Sequence, residues 1–341
     1  MTPLTRGADP QRPFDAAVVI PTVLRPSLLR AVRSVFRQEG VGRIQVLIGI
    51  DRRLGDNNVL DRLADECPVH VGLTVFDPGY STSARHGGPY PCFYGGALRT
   101  ILSYAANSRH IAYLDDDDWW ARDHLAALLQ AIAGKDWAFS YRWFVDHDTG
   151  WPICRDEWDA VGPGRGINQE RFGGFVNPSS LMLDKLECHF TLPCWSLGPF
   201  DGGTGEDRVV FDQLLKRPRW AASGRYSSYF DLRQETQREH HHAREFAARG
   251  LHWMRERDQI AQIRACHDDA LKALRTGDTA AAIAACNRAL RLNPHHAPLL
   301  RTLARAEERS GQPAAAIEHR RQAVETDDSA PDMFTGLTGA G

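Results

Sequence analysis

The chain has 341 residues, 43% of them hydrophobic and 25% charged, an ordinary composition for a globular protein with length for roughly two domains. A formal net charge of −2 gives no general reason to expect nucleic acid or an anionic membrane surface as partner. The opening MTPLTRGADPQRPF lacks an apolar core, and no stretch approaches the roughly 20 apolar residues of a membrane span, so a soluble cytoplasmic protein without a transmembrane segment is expected.

In chain order, AAVVI (16–20) reads as a buried strand stopped by Pro21, and Leu28, Leu29, Val32, Val35 and Phe36 mark one face of a helix. IQVLIGI (44–50) is a second strand ending at Asp51, and VGLTVF (71–76) a third. A long Gly/Pro/Ser/aromatic loop follows, then a helix with Leu98, Ile101, Leu102 and Ala105 on one side, then IAYLDDDDWW (111–120). This β-α-β alternation predicts an α/β fold, a largely parallel sheet with helices on its faces. Further strands are expected at WAFSYRWFV and FVNPSSLML. Seven scattered cysteines without a CxxC pair predict reduced structural thiols; Cys188, His189 and Cys194 fit no common zinc spacing and read as core packing.

Asp115, Asp116, Asp117 and Asp118 repel one another, so something must compensate them. An acidic loop tip with an N-cap for the helix that follows, in which Leu125, Leu128, Leu129 and Ile132 recur at helical spacing, is one reading. A site for a hard divalent cation shared with a substrate's phosphates is the other, and the carboxyl end of a strand in an open α/β sheet favours it.

The last part changes character. Gly277 and Gly311, Ile283 and Ile317, Ala289 and Ala323 are each 34 residues apart, the period of tetratricopeptide helix pairs. Two such units are fewer than a free-standing solenoid needs, so packing on the first domain or on a second subunit is expected, after a linking helix from about Ala243 to Ile263.

VVIPTVLRPSLLRAVRSVFRQ, VLIGID, ALRTILSYAANSRHIAYLDDDDWW and TGEDRVVFDQLL, in this order, resemble the signature blocks of family-2 glycosyltransferases with the GT-A fold, over roughly residues 15–235. The resemblance implies a Rossmann-like mixed sheet for 15–242, between a tail (1–14) and a helical tetratricopeptide-like region (243–330) with its own tail (331–341). It implies a nucleotide-diphosphate sugar donor, UDP- or GDP-linked, held by Pro21, Thr22, Arg25 and Asp51, with Arg99 on the diphosphate. Thr100 stands where family patterns often have Asn, and DRRLGD replaces the usual DDGS-like sequel to Asp51. The aspartate row becomes a DxD motif: Asp115 and Asp117 on manganese or magnesium (Mn²⁺ or Mg²⁺), Asp116 facing the ribose, and the cation clamping the leaving diphosphate. Asp118 is an outer ligand or the helix N-cap, and Trp119 and Trp120 floor the sugar pocket or fill core.

The same resemblance makes Asp207 the base that takes the acceptor proton, with Glu206 beside it, and so implies inversion at the anomeric centre. The capping-box spacing from Thr204 to Asp207 offers a structural role as well. His240, in a run of three histidines, is a candidate extra metal ligand against a solvated surface run, and Arg233 a basic group closing over the diphosphate. Some family members that modify peptides carry a C-terminal tetratricopeptide-like region, so a peptide or protein acceptor and a homodimer through the helices stand beside a glycan acceptor. A nucleotidyltransferase is the other enzymatic reading, but IPTVLRP has no glycine for a phosphate loop. A non-catalytic docking protein is the third, against which stand the acids present in both the DxD and ED blocks.

Overall fold

The computed structural model describes residues 4–56, 58–93, 95–146, 152–232, 257–292, 294 and 296–329. The chain divides into two compact units, Met1–Arg142 with Asp156–Phe230, and Trp143–Arg155 with Asp231–Gly341. The expected boundary at 242/243, and most of the expected linking helix, fall outside the described residues.

The first unit is built on four neighbouring strands, β1 (Leu4–Gly7), β2 (Ala16–Thr22), β3 (Ile44–Ile50) and β4 (Val71–Phe76), joined by helices α1 (Leu28–Phe36) and α2 (Asn58–Glu66). β3 pairs in parallel with both β2 and β4, and β1 closes the edge in antiparallel sense. Every residue of β2 and β3 is buried, as continuous apolar runs require when both faces of a parallel sheet are covered. Val18 and Ile20 enter the core on one face with Val32 and Leu128, whereas Ala17 and Val19 enter the other with Trp195 and Phe211.

Pro21 does not stop β2, which runs on through Thr22. The other parallel neighbour of β2 is β5 (His110–Tyr113), and that pairing ends at Val19, so the N–H that Pro21 lacks has no ladder partner to lose. Beyond β5 the sheet turns antiparallel through β6 (Trp119–Trp120), β7 (Trp137–Asp146), β11 (Leu181–Asp184) and β12 (Trp220–Leu232), giving the order β1-β4-β3-β2-β5-β11-β7-β12-β6. The remaining strands are β8 (Pro152–Arg155), paired with the outer part of β7 within the second unit, and the short pair β9 (Gly162–Pro163) and β10 (Gly174–Phe175). FVNPSSLML is therefore two strands: Pro178 opens a 3-10 turn between them, capped by the Asn177 side chain accepting from the Ser179 N–H.

Helices α3 (Gly96–Ala105), α4 (His124–Ile132), α5 (Gln169–Phe172) and α6 (Glu206–Leu215) complete the first unit. α3 departs from the expected face. Leu98 and Leu102 are buried, but Ile101 is 40% exposed and Ala105 lies outside, because the helix instead turns Arg99 and Ser103 inward. Cys67, Cys92, Cys188, Cys194, Cys266 and Cys286 are free thiols; Cys188 and Cys194 are buried as packing groups, and Cys188 Sγ points at the Asp136 carbonyl.

The second unit holds α7 (Arg257–Thr276), α8 (Thr279–Leu292), α9 (Ala297–Arg309) and α10 (Pro313–Ser329), each packed on the next. The repeat is physical as well as textual. Gly277 and Gly311 share φ near +80°, and the N–H of the following residue bonds back at 2.9 Å in both units, Asp278 to Ala273 and Gln312 to Glu307. Among the described residues no helix is long and apolar enough to cross a membrane.

Gly96 opens α3 because nothing larger fits: a Cβ there would lie 1.9 Å from the Trp195 carbonyl oxygen. Gly96→Ala should cost about 2–3 kcal/mol in chemical denaturation. Gly134→Ala, at φ +71° with open space around it, should cost only the roughly 1 kcal/mol of a left-handed alanine. Equal losses would contradict the close contact.

Candidate active site

The four aspartates follow β5 where β2 and β3 also end, at the carboxyl edge of the parallel strands. What neutralises them comes from those neighbours. Thr22 Oγ1 donates to Asp116 Oδ2 at 2.6 Å and accepts from the Leu24 N–H at 2.9 Å. Leu24 is buried with φ +63°, a left-handed conformation costing a non-glycine residue roughly 1–2 kcal/mol. The turn delivers Arg25, whose Nη1 reaches Asp116 Oδ1 at 2.8 Å and Asp117 Oδ2 at 3.2 Å. Arg30, in the first turn of α1, donates to the Asp117 carbonyl at 3.0 Å and lies 3.6 Å over the Trp119 ring.

Arg99 arrives from the other side. Gly95 (φ +71°) and Gly96 start α3 tightly enough for its next turn to be buried, and Arg99 is only 5% exposed. Its Nη2 donates to Asp115 Oδ1 at 2.5 Å, and its Nη1 lies 3.7 Å from Glu206 Oε1. Burial alone would lower the guanidinium pKa, but Asp115 and Glu206 outweigh it and the group stays charged. One cation thus joins the aspartate row to the acids that open α6.

The row alternates. The Asp115 and Asp117 side chains are each 26% exposed, whereas Asp116 and Asp118 are buried. Two reachable hard carboxylates suit a Mg²⁺- or Mn²⁺-type ion that takes one or two protein oxygens and completes its shell with phosphates and water. No group of three or more His, Cys, Asp or Glu side chains converges among the described residues, so an all-protein cage is not the fit here. His240 and Arg233 lie outside the described residues. Asp118 is not the cap of α4, a position held by Asp123; it is buried where its charge acts on Arg142. Trp119 is 4% exposed, between Arg30 and Tyr229, and Trp120 is fully buried, stacked on His124.

Asp51, 7% exposed, is tied to the end of β2 by its N–H on the Thr22 carbonyl and accepts from Ser81 Oγ at 2.8 Å. It lines a cleft of about 330 Å³ with Arg52, Tyr80, Ser81 and His86. Pro21 and Thr22 are at the adjacent strand end, so the candidate residues that fall in the described part of the first unit gather at one edge of the sheet.

At α6 the N-cap is Gly205 in the left-handed region, not Thr204, whose hydroxyl turns to the Asp201 carbonyl at 3.4 Å. The capping box therefore does not form: with Gly205 at the cap, Thr204 and Asp207 are displaced by one position from the required geometry. Glu206 is 4% exposed, and its Oε2 has no hydrogen-bond partner among the described residues. Burial pushes its carboxyl up to about 7, against the pull of Arg99 and with a further push from Asp207. Asp207 is raised as well, by desolvation first, against Arg208 and Arg99.

Two contributors had no sequence signal: Arg30 reads as one more arginine on an amphipathic helix, and Ser179 as one of two serines after a proline. Ser179 Oγ nevertheless accepts from the Asp115 N–H, and its carbonyl accepts from Trp120 Nε1 and Ser228 Oγ.

The tetratricopeptide-repeat family profile matches residues 273–336. No curated protein sequence matches the chain. Among solved structures, TarS of S. aureus, residues 1–349, is similar over 92% of this chain and 90% of its own, at 13% identity and a TM-score of 0.46. The same protein in complex with UDP-GlcNAc gives 14% identity over 92% and 91% of the two chains, with a TM-score of 0.44.

A Glu206 carboxyl raised to about 7 means that the folded protein holds a proton the unfolded chain has already released. Its contribution to stability is present below the ordinary glutamate value and lost as pH rises through 7. Glu206→Gln should therefore gain on the wild type between pH 5 and pH 8, by up to about 3 kcal/mol in denaturant unfolding. A stability difference independent of pH would contradict the shift.

Proposed function

We propose that this chain is a metal-dependent, inverting glycosyltransferase of GT-A type, moving a sugar from a UDP- or GDP-linked donor to a hydroxyl of a glycan or peptide acceptor. The observation that carries this reading is Arg99, which links Asp115 of the DxD-like row to Glu206 of the ED pair. Two acid groups far apart in sequence, each with a separate role in such a reaction, thereby share one site.

In this reading the nucleoside lies in the cleft beside Asp51, and the ribose lies against Asp116 at the Thr22 end of β2. A bound divalent cation supplies positive charge beside the diphosphate as it leaves. Asp115 and Asp117 offer oxygens to that ion, and Arg25 and Arg99 hold the row in shape. The acceptor oxygen attacks the anomeric carbon from the face opposite the diphosphate, the bond to the diphosphate oxygen breaks, and the hydroxyl proton passes to Asp207. Glu206, near neutrality and fixed on Arg99, sets the field in which Asp207 works. Trp119 beneath the sugar, Arg233 over the diphosphate and His240 on the ion rest on the motif resemblance alone. Cytoplasmic residence and a homodimer through the helices belong to the same proposal.

The test is nucleotide release from a panel of UDP- and GDP-sugars with and without Mn²⁺, followed by Asp207→Asn. We expect UDP or GDP as product, and a turnover in the variant lower by at least about 100-fold with donor affinity unchanged. A merely structural Asp207 predicts instead about 1 kcal/mol of lost stability with activity retained. Release of sugar 1-phosphate, with UTP or GTP formed when pyrophosphate is added, would point to nucleotidyl transfer, and no release from any donor to a docking protein.

A further inference from the structure

Beside Asp207 lies a cluster that the donor reaction leaves unused. Arg208, the next residue of α6, places its guanidinium 3.3 Å over the Phe175 ring and 5.1 Å from that of Phe172. Its Nη1 is buried and has no hydrogen-bond partner among the described residues. Arg171, at the end of α5, lies 4.8 Å over Phe172 and 5.7 Å from Phe200, whose rings are 6.1 Å apart.

The two carboxylates that act on the Arg208 charge, Asp207 and Asp159, have hydrogen-bond partners other than its guanidinium. Asp159 accepts from Arg142 at 2.5 Å and from Asn168 at 2.6 Å, and Asp207 Oδ1 accepts from the Arg208 backbone N–H at 2.7 Å. Burial is the largest influence on the Arg208 pKa and lowers it; Asp207 and Asp159 pull it up and Arg142 and Arg171 push it down, so the charges around the guanidinium do not fully offset its loss of water. Stacking on rings stabilises a guanidinium by up to about 2 kcal/mol but leaves its N–H donors unmatched. A buried donor without a partner costs about 1–3 kcal/mol and asks for an acceptor from outside. The fork of an arginine fits phosphate or carboxylate oxygens best.

Resting on Asp207 as the acceptor-side base, we infer that Arg208 and Arg171, walled by Phe172 and Phe200, form an acceptor subsite for an anionic group, phosphate or carboxylate, carried near the hydroxyl to be glycosylated. The substrate class is then an acidic acceptor. Asp207 takes the proton while Arg208, one residue on, fixes the charge.

Calorimetric titration of the full chain with glucose, glucose 6-phosphate and glucuronate tests this without turnover. At least one of the two anions should bind about tenfold or more tightly than glucose, and which one does separates phosphate from carboxylate. The preference should weaken in high salt, disappear in the Arg171→Gln/Arg208→Gln double variant, and persist in large part in Arg208→Lys, with melting temperatures confirming that each variant is folded. Equal affinities for all three probes, binding of neither anion, or a preference that survives the double variant would overturn the proposal. So would a variant that loses UDP or GDP affinity instead, since that assigns Arg208 to the donor. Absent transfer activity counts against the transferase reading; absent charge preference counts against the subsite.

Discussion

The contact on which the rest of the site depends is the buried guanidinium of Arg99 between Asp115 and Glu206. A charge this far from water survives only when paired, and removing one partner of such a pair generally costs about 3–5 kcal/mol. The local structure follows from that demand. α3 must start close to its neighbours, hence Gly95 in the left-handed region and Gly96 against the Trp195 carbonyl; and it must turn Arg99 inward, which leaves Ile101 exposed. α6 must begin at Glu206, so Gly205 takes the cap position where a side-chain cap would otherwise sit.

On the opposite side Arg25 and Thr22 restrain Asp116, and the strained Leu24 is the linkage that brings Arg25 round. The outcome is a row of four acids in which two are buried and two reach solvent. Arginine pairing makes the row tolerable without a ligand, and in the proposed function the exposed pair keeps oxygens for a cation that arrives with a diphosphate. Sites of this kind commonly hold strain and like charge that a purely structural sequence would avoid.

The sequence disclosed what periodicity and spacing can carry. β3 and β4 have their expected bounds because uninterrupted apolar runs leave no other arrangement, and the helical repeat is legible because its glycines recur with the same φ. It concealed what tertiary electrostatics decides. An apolar count misplaces the face of α3 because Ile101 outranks Arg99, although the arginine is the buried one. β12 was invisible because it is rich in serine and glycine: Ser227 and Ser228 are buried only because His124 Nδ1 and the Ser179 carbonyl take up their hydroxyls. The Thr204 capping box matched in spacing and failed in geometry. The aspartate row was conspicuous throughout, but the arginines that hold it had to be seen in three dimensions, since Arg30 differs in nothing from its neighbours along the helix.

The central claim is that the two exposed aspartates take a divalent cation together with a nucleotide diphosphate. Its most direct measurement is calorimetric titration of UDP and GDP into the protein with Mn²⁺ and with chelator, in the wild type and in Asp117→Asn. The account predicts that one of the two nucleotides binds at least about tenfold more tightly with Mn²⁺, and that Asp117→Asn, folded and otherwise intact, loses that difference because a hard anionic ligand is gone. Nucleotide affinity indifferent to Mn²⁺ in the wild type would contradict it.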